Sequence, residues 1–303
     1  MLKTLLRPAH LLFAILLLIH LLPNRTVGDN FPLYVIIPAL ALEAAVWFAA
    51  WRLKKSNADL YHDIACFIYF SLIAWILLTA KSNFLRPGLF PPPGAVFAQL
   101  LSDHAKVWLN IRTSLGIILQ GYLLGVAVAV PLGLFLGWSV RFGNAATYIG
   151  KFLGAIPPVV YIPYGIALLP TFRSASVMVI FLAAFWPALA STMSGVLNVE
   201  RRIIDAAKSL NVGKTTMLFQ IILPAALPEI FIGCNQGLGV SFILLTAAEM
   251  IGARSGMGYY VKNYSDLGDY TRTIAGVIVI GVVVTAMVFF VNKLQRYLLR
   301  WKR

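Results

Sequence analysis

The sequence predicts an all-α fold, a polytopic bundle of transmembrane helices. Of its 303 residues, 60% are hydrophobic and only 12% are charged, and the mean hydropathy is +0.82. Soluble domains carry about 25% charged residues, and a globule this apolar would expose large hydrophobic patches to water. Long apolar runs recur along the whole chain, which predicts many membrane crossings rather than one anchor on a soluble domain.

Apolar stretches predict eight spans. They lie at residues 9–23, 31–51, 62–80, 111–138, 144–169, 174–197, 228–251 and 273–292. The first stretch is short for the roughly 20 residues that a crossing needs. Lys3 and Arg7 precede it as in a signal peptide, but the following segment PNRTVG (residues 23–28) lacks a small-x-small cleavage site. We therefore expect a retained first helix.

Proline and glycine mark special places within these spans. Pro38 interrupts the second span, Pro131 the fourth and a Pro-Pro pair at 157–158 the fifth. Such interruptions are tolerated where neighbouring helices cover the freed backbone groups. The fourth span also carries two small-xxx-small pairs, Gly121 with Gly125 and Gly133 with Gly137. Because such pairs let helix backbones approach closely, the fourth span is predicted to pack tightly in a bundle.

Basic residues sit mainly between and after the apolar runs, and the formal net charge is +14. In a soluble protein this charge would suggest nucleic acid, but the distribution favours topology control and contact with an anionic lipid bilayer, with no nucleic acid. With the N-terminus inside, fifteen lysines and arginines fall on inner segments and nine on outer ones. The excess predicts a multi-pass protein of the bacterial inner membrane with both termini in the cytoplasm. Two cysteines inside apolar runs and four scattered histidines predict neither a disulfide framework nor a metal site.

A polar stretch at residues 198–222 separates the sixth and seventh spans and is too polar to cross a bilayer. Apolar residues recur in it at helical spacing, namely Ile203, Ile204, Ala207 and Leu210. The sequence Asn211-Val212-Gly213 then predicts a turn, since Asn and Gly both tolerate left-handed backbone angles. A second amphipathic piece follows, and Pro224 and Pro228 mark the passage into the seventh span. We expect a rigid helix–turn–helix on the cytoplasmic face.

The tripeptide Gly213-Lys214-Thr215 looks like the end of a phosphate-binding P-loop, but the rest of that motif is missing. A P-loop requires another glycine five positions before the Gly-Lys pair, where this chain has Lys208. It also requires a preceding strand, where a helix is predicted here. The chain is therefore predicted not to bind ATP itself.

Residues 205–224, DAAKSLNVGKTTMLFQIILP, resemble the EAA motif of ABC importer permeases. In that motif an acidic residue, two alanines, three variable residues and a glycine are followed after nine residues by I-x-L-P. Asn211 stands where the glycine is usual, and asparagine is the best substitute for glycine in a left-handed turn. The resemblance implies that the segment couples the chain to an ATPase. The implied coupling residues are Arg201, Asp205, Ala206, Ala207, Leu210, Asn211, Gly213, Ile221, Leu223 and Pro224.

Three further stretches resemble the nitrate, sulfonate and taurine branch of these permeases. They are FPPPGAV at 90–96, TSLGIILQGYLLGVAVAVPLGLFLGW at 113–138 and AEMIGARSGMGY at 248–259. The resemblance covers about residues 62–303. It implies a permease transmembrane domain at 61–303 with its coupling segment at 200–222, preceded by two extra helices within residues 1–60.

The resemblance also implies partners and a substrate class. Two copies would form a homodimer around one pathway, bind two cytoplasmic ATPase subunits and receive substrate from an extracytoplasmic binding protein. The ATPase subunits would hydrolyse the ATP, so we expect that this chain is not an enzyme and needs no cofactor. The branch transports small anions such as sulfonates, taurine and nitrate, and it also serves other small metabolites.

Residues near the outer end of the seventh span are candidates for the pathway or for contact with the binding protein; they are Glu249, Arg254 and Lys262. An ionisable residue at membrane depth is a functional candidate, but Glu249 near a helix end can also reach water or a backbone amide. Arg254, Lys262 and Arg272 lie beside the glycines of residues 252–268. Basic residues and exposed amides there would concentrate anions, or the charges would meet acidic patches on a binding protein.

Other interpretations stay open. Asp205 would also serve simply to solvate a surface helix. The basic residues near it would then only keep the loop on the cytoplasmic side; they are Arg201, Arg202, Lys208 and Lys214. A proton- or sodium-coupled secondary transporter would want buried ionisable residues near midplane and related halves. A membrane-anchored scaffold or sensor would need neither glycine-rich packing nor a patterned cytoplasmic loop. Glu43, in the extra helices, has no role that the sequence assigns.

Overall fold

The computed structural model describes residues 7–24, 31–52, 55–82, 84–86 and 88–299. These ranges are mostly helical and contain no strand. Most of the PNRTVG segment and the charges of Lys3, Arg300, Lys302 and Arg303 lie outside them. The chain divides into two compact units, one of Met1–Lys106 with Asn263–Val277 and one of Val107–Lys262 with Ile278–Arg303.

The described residues form four α-helices up to residue 102 and nine α-helices after it. The early helices are α1 (Pro8–Leu21), α2 (Leu33–Arg52), α3 (Lys55–Ile76, extended by a π turn at Leu77–Lys81) and α4 (Pro93–Ser102). The later ones are α5 (His104–Trp138), α6 (Val140–Gly154), α7 (Tyr161–Leu168), α8 (Phe172–Leu197), α9 (Arg201–Ser209), α10 (Lys214–Thr216), α11 (Leu223–Gly252), α12 (Met257–Asp266) and α13 (Tyr270–Leu298).

Six helical stretches in the described residues are long and apolar enough to cross a membrane. They correspond to the predicted second, third, fourth, sixth, seventh and eighth spans, and they are Leu33–Arg52, Asp59–Lys81, His104–Trp138, Phe172–Leu197, Lys214–Gly252 and Tyr270–Leu298. The predicted first span forms the apolar helix α1, whose 14 residues fall short of a full crossing. The all-α bundle expected from composition is confirmed.

The predicted fifth span at 144–169 is interrupted at its Pro-Pro pair, as expected, and it is not one helix. Helix α6 ends at Gly154, a 3₁₀ turn covers Pro158–Val160, and the eight-residue α7 follows. Consecutive prolines offer no N–H donors and disfavour helical angles in the residue before each of them. By contrast, Pro38 and Pro131 lie inside α2 and α5 without ending either helix.

In the second unit, α5 packs against α8 along its glycine pairs. A Cβ atom placed on Gly125 would lie 2.8 Å from the carbonyl oxygen of Phe181, and one on Gly133 would lie 2.6 Å from the Cβ of Thr192. Both distances are shorter than van der Waals contact, so only glycine fits. The predicted tight packing of the fourth span is confirmed, and the structure identifies α8 as the partner.

An adjoining face of α8 packs just as closely against α11. A Cβ atom on Gly233 would lie 2.6 Å from the carbonyl oxygen of Pro187, and one on Gly237 would lie 3.1 Å from that of Ala184. Helix α8 is therefore held between two helices by backbone-to-backbone contact. Polar side chains tie α13 to the same core, since Asn235 on α11 donates to Asn292 at 3.0 Å.

This packing makes the glycines of the interface intolerant of a single methyl group. Gly133→Ala is expected to destabilise the protein by about 1–3 kcal/mol, because the methyl would press on the buried, β-branched Thr192. Gly239→Ala is the matched control, since a Cβ at that helical position meets no atom within 4 Å. Melting midpoints of the two purified variants in detergent measure the difference. Equal midpoints would contradict the packing described for α5 and α8.

Candidate functional site

The predicted helix–turn–helix is present, and its turn is formed by Asn211. Helix α9 ends with Asn211 in the left-handed conformation at φ 54°. The amide of Asn211 donates to the carbonyl of Lys208 at 2.9 Å, and the amide of Val212 donates to that of Ala207 at 3.1 Å. This pair of bonds is a Schellman motif, which closes the last helical turn. Gly213 has an extended backbone, so Asn211 alone performs the left-handed turn.

The segment after the turn runs without a break into the seventh span. Helix α10 passes into a π turn at Met217–Ile222 and then into α11, so that Lys214–Gly252 form one helical stretch of 39 residues. Pro224 and Pro228 lie at the passage into the seventh span, as predicted, but they do not end the helical stretch. Pro224 stands where the π turn passes into α11, and Pro228 lies inside the helix.

The helix–turn–helix buries one face and exposes the other. Ala207, Met217 and Ile222 are buried in the apolar core of the second unit, and Ile204 and Val212 pack against them. The opposite face is open: Leu210 is 79% exposed, and Ile203 and Phe219 are also exposed large apolar side chains. The charged residues around them are exposed as well, namely Arg201, Arg202, Asp205, Lys208 and Lys214. The segment is thus fixed to the bundle while presenting apolar and charged groups outward.

At the other end of α11, the Glu249 carboxylate is a fully buried hydrogen-bond acceptor with 1% exposure. One oxygen accepts from the hydroxyl of Ser114 on α5 at 2.6 Å, and the other accepts from the amide of Gly258 at 2.7 Å. The Ser114 hydroxyl oxygen in turn accepts from the amide of Met257 at 2.8 Å. These bonds join α5 to the end of α11 and the start of α12.

The loop between α11 and α12 folds directly over this carboxylate. Gly256 has φ 128°, and a Cβ there would collide with the carboxylate of Glu249. Its amide donates to Asn110 on α5 at 2.8 Å. The amides of residues 256–258 are therefore all engaged by Asn110, Ser114 and Glu249. The expectation that amides of these glycines are exposed to an anion is wrong, because α5 and α11 supply their acceptors.

Arg254 projects from the same loop into a cavity of about 760 Å³. The cavity is also lined by Arg112 on α5 and by Arg173 at the start of α8. Neither was singled out as a site residue from the sequence. The available signal was their position, because both stand at predicted outer ends of spans, as Arg254 does.

The other basic residues of the outer segment are placed differently. Lys262 is half-buried on α12. In the first unit, the Arg272 guanidinium donates to Asp103 and to Asp269, each at 2.6 Å. The three residues were expected to act together as a basic mouth. The charge of Arg272 is instead balanced by two carboxylates.

The first unit contains a polar cluster that the sequence did not reveal. The carboxylate of Glu43 on α2 accepts from Trp47 at 3.1 Å and from the hydroxyl of Tyr69 on α3 at 3.0 Å, and it contacts the ring of His10 on α1. The buried His62 ring lies edge-on to His10, with centroids 5.1 Å apart. Polar residues inside apolar stretches were the signal. Glu43 thereby links all three helices through satisfied hydrogen bonds.

The fold and these sites define a multi-pass helical membrane protein with a structured segment between two of its spans. Residues 129–303, more than half of the chain, match the family of binding-protein-dependent transport system inner membrane components. The chain belongs to this family of ABC importer permeases, as the EAA-like stretch suggested.

Individual relatives agree. The chain is 32% identical over 228 residues to a probable ABC transporter permease of Brucella abortus, covering 75% of this chain and 90% of that protein. It is 30% identical over 234 residues to the taurine transport system permease TauC of Escherichia coli, covering 75% and 84%. It is 29% identical over 182 residues to the nitrate import permease NrtB of Leptolyngbya laminosa, covering 60% and 65%.

A solved structure shares the fold. It is described as an inward-facing conformation of the MetNI methionine ABC transporter, and it aligns with a TM-score of 0.51 and 17% identity. The alignment covers 66% of this chain and 98% of that one.

The Glu249 network predicts a stability effect. In Glu249→Gln, the amide N–H₂ group faces a donor, either the hydroxyl of Ser114 or the amide of Gly258, so one hydrogen bond is lost. We expect the free energy of unfolding to fall by about 1–3 kcal/mol. Glu200→Gln is a matched control, because its contact with Arg202 at 3.3 Å is solvent-exposed and contributes little. Thermal melts of the two variants in detergent decide the matter. A Glu249→Gln protein as stable as the control would show that the network does not hold the loop.

Proposed function

We propose that this permease imports a small oxyanion and is driven through residues 200–222 by a separate ATPase. The coupling segment is the element on which this proposal mainly rests. Its turn is closed by the Schellman motif at Asn211, one face is buried, and Leu210 and Asp205 are left open to a partner. A rigid, outward-facing helix pair suits the transmission of force, whereas a flexible linker would absorb it.

The helical continuity of residues 214–252 supports the coupling role. At about 1.5 Å per residue, 39 residues extend roughly 58 Å, whereas the hydrocarbon core is about 30 Å thick. The stretch is therefore long enough to begin in the cytoplasm at Lys214, cross the bilayer, and carry Glu249 near the outer side. Movement imposed on α9 and α10 would be carried along α11 to the loop that holds Arg254.

The substrate class is supported by the names of relatives. Permeases for taurine, nitrate and bicarbonate are among the similar proteins, and each of these solutes carries a negatively charged oxygen group. We infer a small oxyanion, such as a sulfonate, taurine or nitrate. A permease of the same family for another small metabolite is the second candidate, because a probable permease with no named substrate matches at similar identity.

The remaining partners are proposed by analogy with the family. Two copies of the chain would surround one pathway, two cytoplasmic ATPase subunits would dock on the coupling segments, and an extracytoplasmic binding protein would deliver the substrate. Glu249, Arg254 and Lys262 are assigned to the outer side, with Glu249 positioning the loop. The chain itself carries out no hydrolysis in this scheme.

Docking is tested with substitutions on the open face of the coupling segment. Leu210→Asp and Asp205→Arg should both abolish the vanadate-sensitive ATP hydrolysis that co-purifies with the tagged permease from native membranes. Both side chains are exposed, so the fold should persist. Leu267→Asp is the control, since Leu267 is 72% exposed in the segment assigned to the outer side.

The same experiment separates the alternative classes of protein. Hydrolysis that survives both substitutions would refute docking at residues 200–222. A secondary transporter or a scaffold would carry no such ATPase in the wild-type preparation. Replacing Ala207 with a bulky residue is less informative, because Ala207 is buried and its loss would also disturb packing.

Topology is tested with reporter fusions. A reporter joined after residue 303 should be cytoplasmic, and one inserted after the exposed Gly268 should be extracytoplasmic, because the count of basic residues predicts that both termini are inside. Alkaline phosphatase and green fluorescent protein give opposite signals on the two sides. The same side for both positions would contradict the orientation.

A further inference from the structure

We propose that Arg112, Arg173 and Arg254 form an oxyanion-binding site at the outer end of the second unit. This inference rests on the proposed import of a small oxyanion and names the residues that would receive it. The three arginines come from three separate elements, which are the first turns of α5, the start of α8 and the loop after α11. All three line the same cavity of about 760 Å³.

The charges of the cavity are unbalanced. Its lining includes three guanidinium groups and no carboxylate. Within the described part of the chain, no ion pair is recorded for any of the three; Arg173 donates only to the neutral Gln120, at 3.3 Å. Like charges around one concave space repel each other and concentrate small anions in it. Arg272 is the contrast, since its guanidinium is paired with two carboxylates.

The residue type narrows the ligand to an oxyanion. A guanidinium presents a planar fork of N–H donors that binds two oxygens of a carboxylate, sulfonate or similar group at once. Apolar side chains, including Leu109, Ile117 and Phe172, form other parts of the wall. A cavity with basic and apolar walls accommodates both the charged group and the carbon part of a small organic anion.

The hydrogen-bond network of Glu249 positions two of the three arginines. Arg112 lies on α5 between Asn110 and Ser114, which bind the amides of Gly256 and Met257. The loop that carries Arg254 is therefore attached to the helix that carries Arg112. A site held in this way loses little conformational freedom on binding.

Anion binding is measured on the full chain in nanodiscs of zwitterionic phosphatidylcholine. The probes are ethanesulfonate and its neutral analogue ethanesulfonamide. Their binding is measured by the shift in melting temperature and by calorimetric titration. Ethanesulfonate should bind and ethanesulfonamide should not. Arg173→Gln and Arg112→Gln should each weaken ethanesulfonate binding by about tenfold or more. Arg141→Gln removes a charge that is also exposed but lies outside the cavity, and it should leave binding unchanged.

Three outcomes would overturn the site. Unchanged ethanesulfonate affinity in the arginine variants would place any binding elsewhere. An arginine-dependent shift that appears only when phosphatidylglycerol is added to the discs, and never with ethanesulfonate, would assign the cavity to lipid headgroups. Loss of binding-protein affinity in the variants without loss of ethanesulfonate binding would assign the arginines to docking.

Failure of this site is distinguishable from failure of the proposed function. If Leu210→Asp abolishes the co-purifying ATPase activity but the arginine substitutions leave ethanesulfonate binding unchanged, only the proposed oxyanion site is refuted. If the arginines bind ethanesulfonate but no ATPase accompanies the chain, the site stands and the proposed coupling fails.

Discussion

The close approach of α8 to both α5 and α11 is the constraint on which the second unit depends. Within a lipid environment, apolar side chains gain little by associating with each other, so helix association relies on van der Waals contact between backbones. Gly125 and Gly133 provide it on α5, and Gly233 and Gly237 provide it on α11. The close contacts fix the spacing and register of three helices. Every polar contact between the ends of these helices presupposes that register.

The buried carboxylate of Glu249 shows this dependence. A carboxyl group in an apolar interior requires hydrogen-bond partners, and here Ser114 and Gly258 supply them. Ser114 reaches Glu249 because α5 and α11 both pack on α8 and also contact each other. In that contact, the hydroxyl of Tyr122 donates to the carbonyl of Cys234 at 3.1 Å. The same network closes the loop over Gly256, where any side chain would displace the carboxylate. Packing, polar satisfaction and loop geometry therefore support each other at this end of the unit.

A second consequence is mechanical. Residues 214–252 form one helical stretch whose first turns belong to the proposed coupling segment and whose last turns carry Glu249. Because α11 is held against α8 by backbone contact, a displacement of the proposed coupling segment would move this stretch together with α8. In the first unit, the helices are held together by side-chain hydrogen bonds instead. Its three early helices are joined by the carboxylate of Glu43, which binds side chains of His10, Trp47 and Tyr69.

The sequence by itself determined the features that depend on local pattern. Apolar content and run length predicted the helical membrane bundle, spacing predicted the tight packing of the fourth span, and Asn211 predicted the left-handed turn. Such signals are visible because each arises within one or two helical turns. Tertiary structure decided which distant groups meet: Glu249 with Ser114, Arg272 with Asp103, and the three arginines around one cavity. Those residues stand more than 50 positions apart, and only the register of the packed helices brings them together.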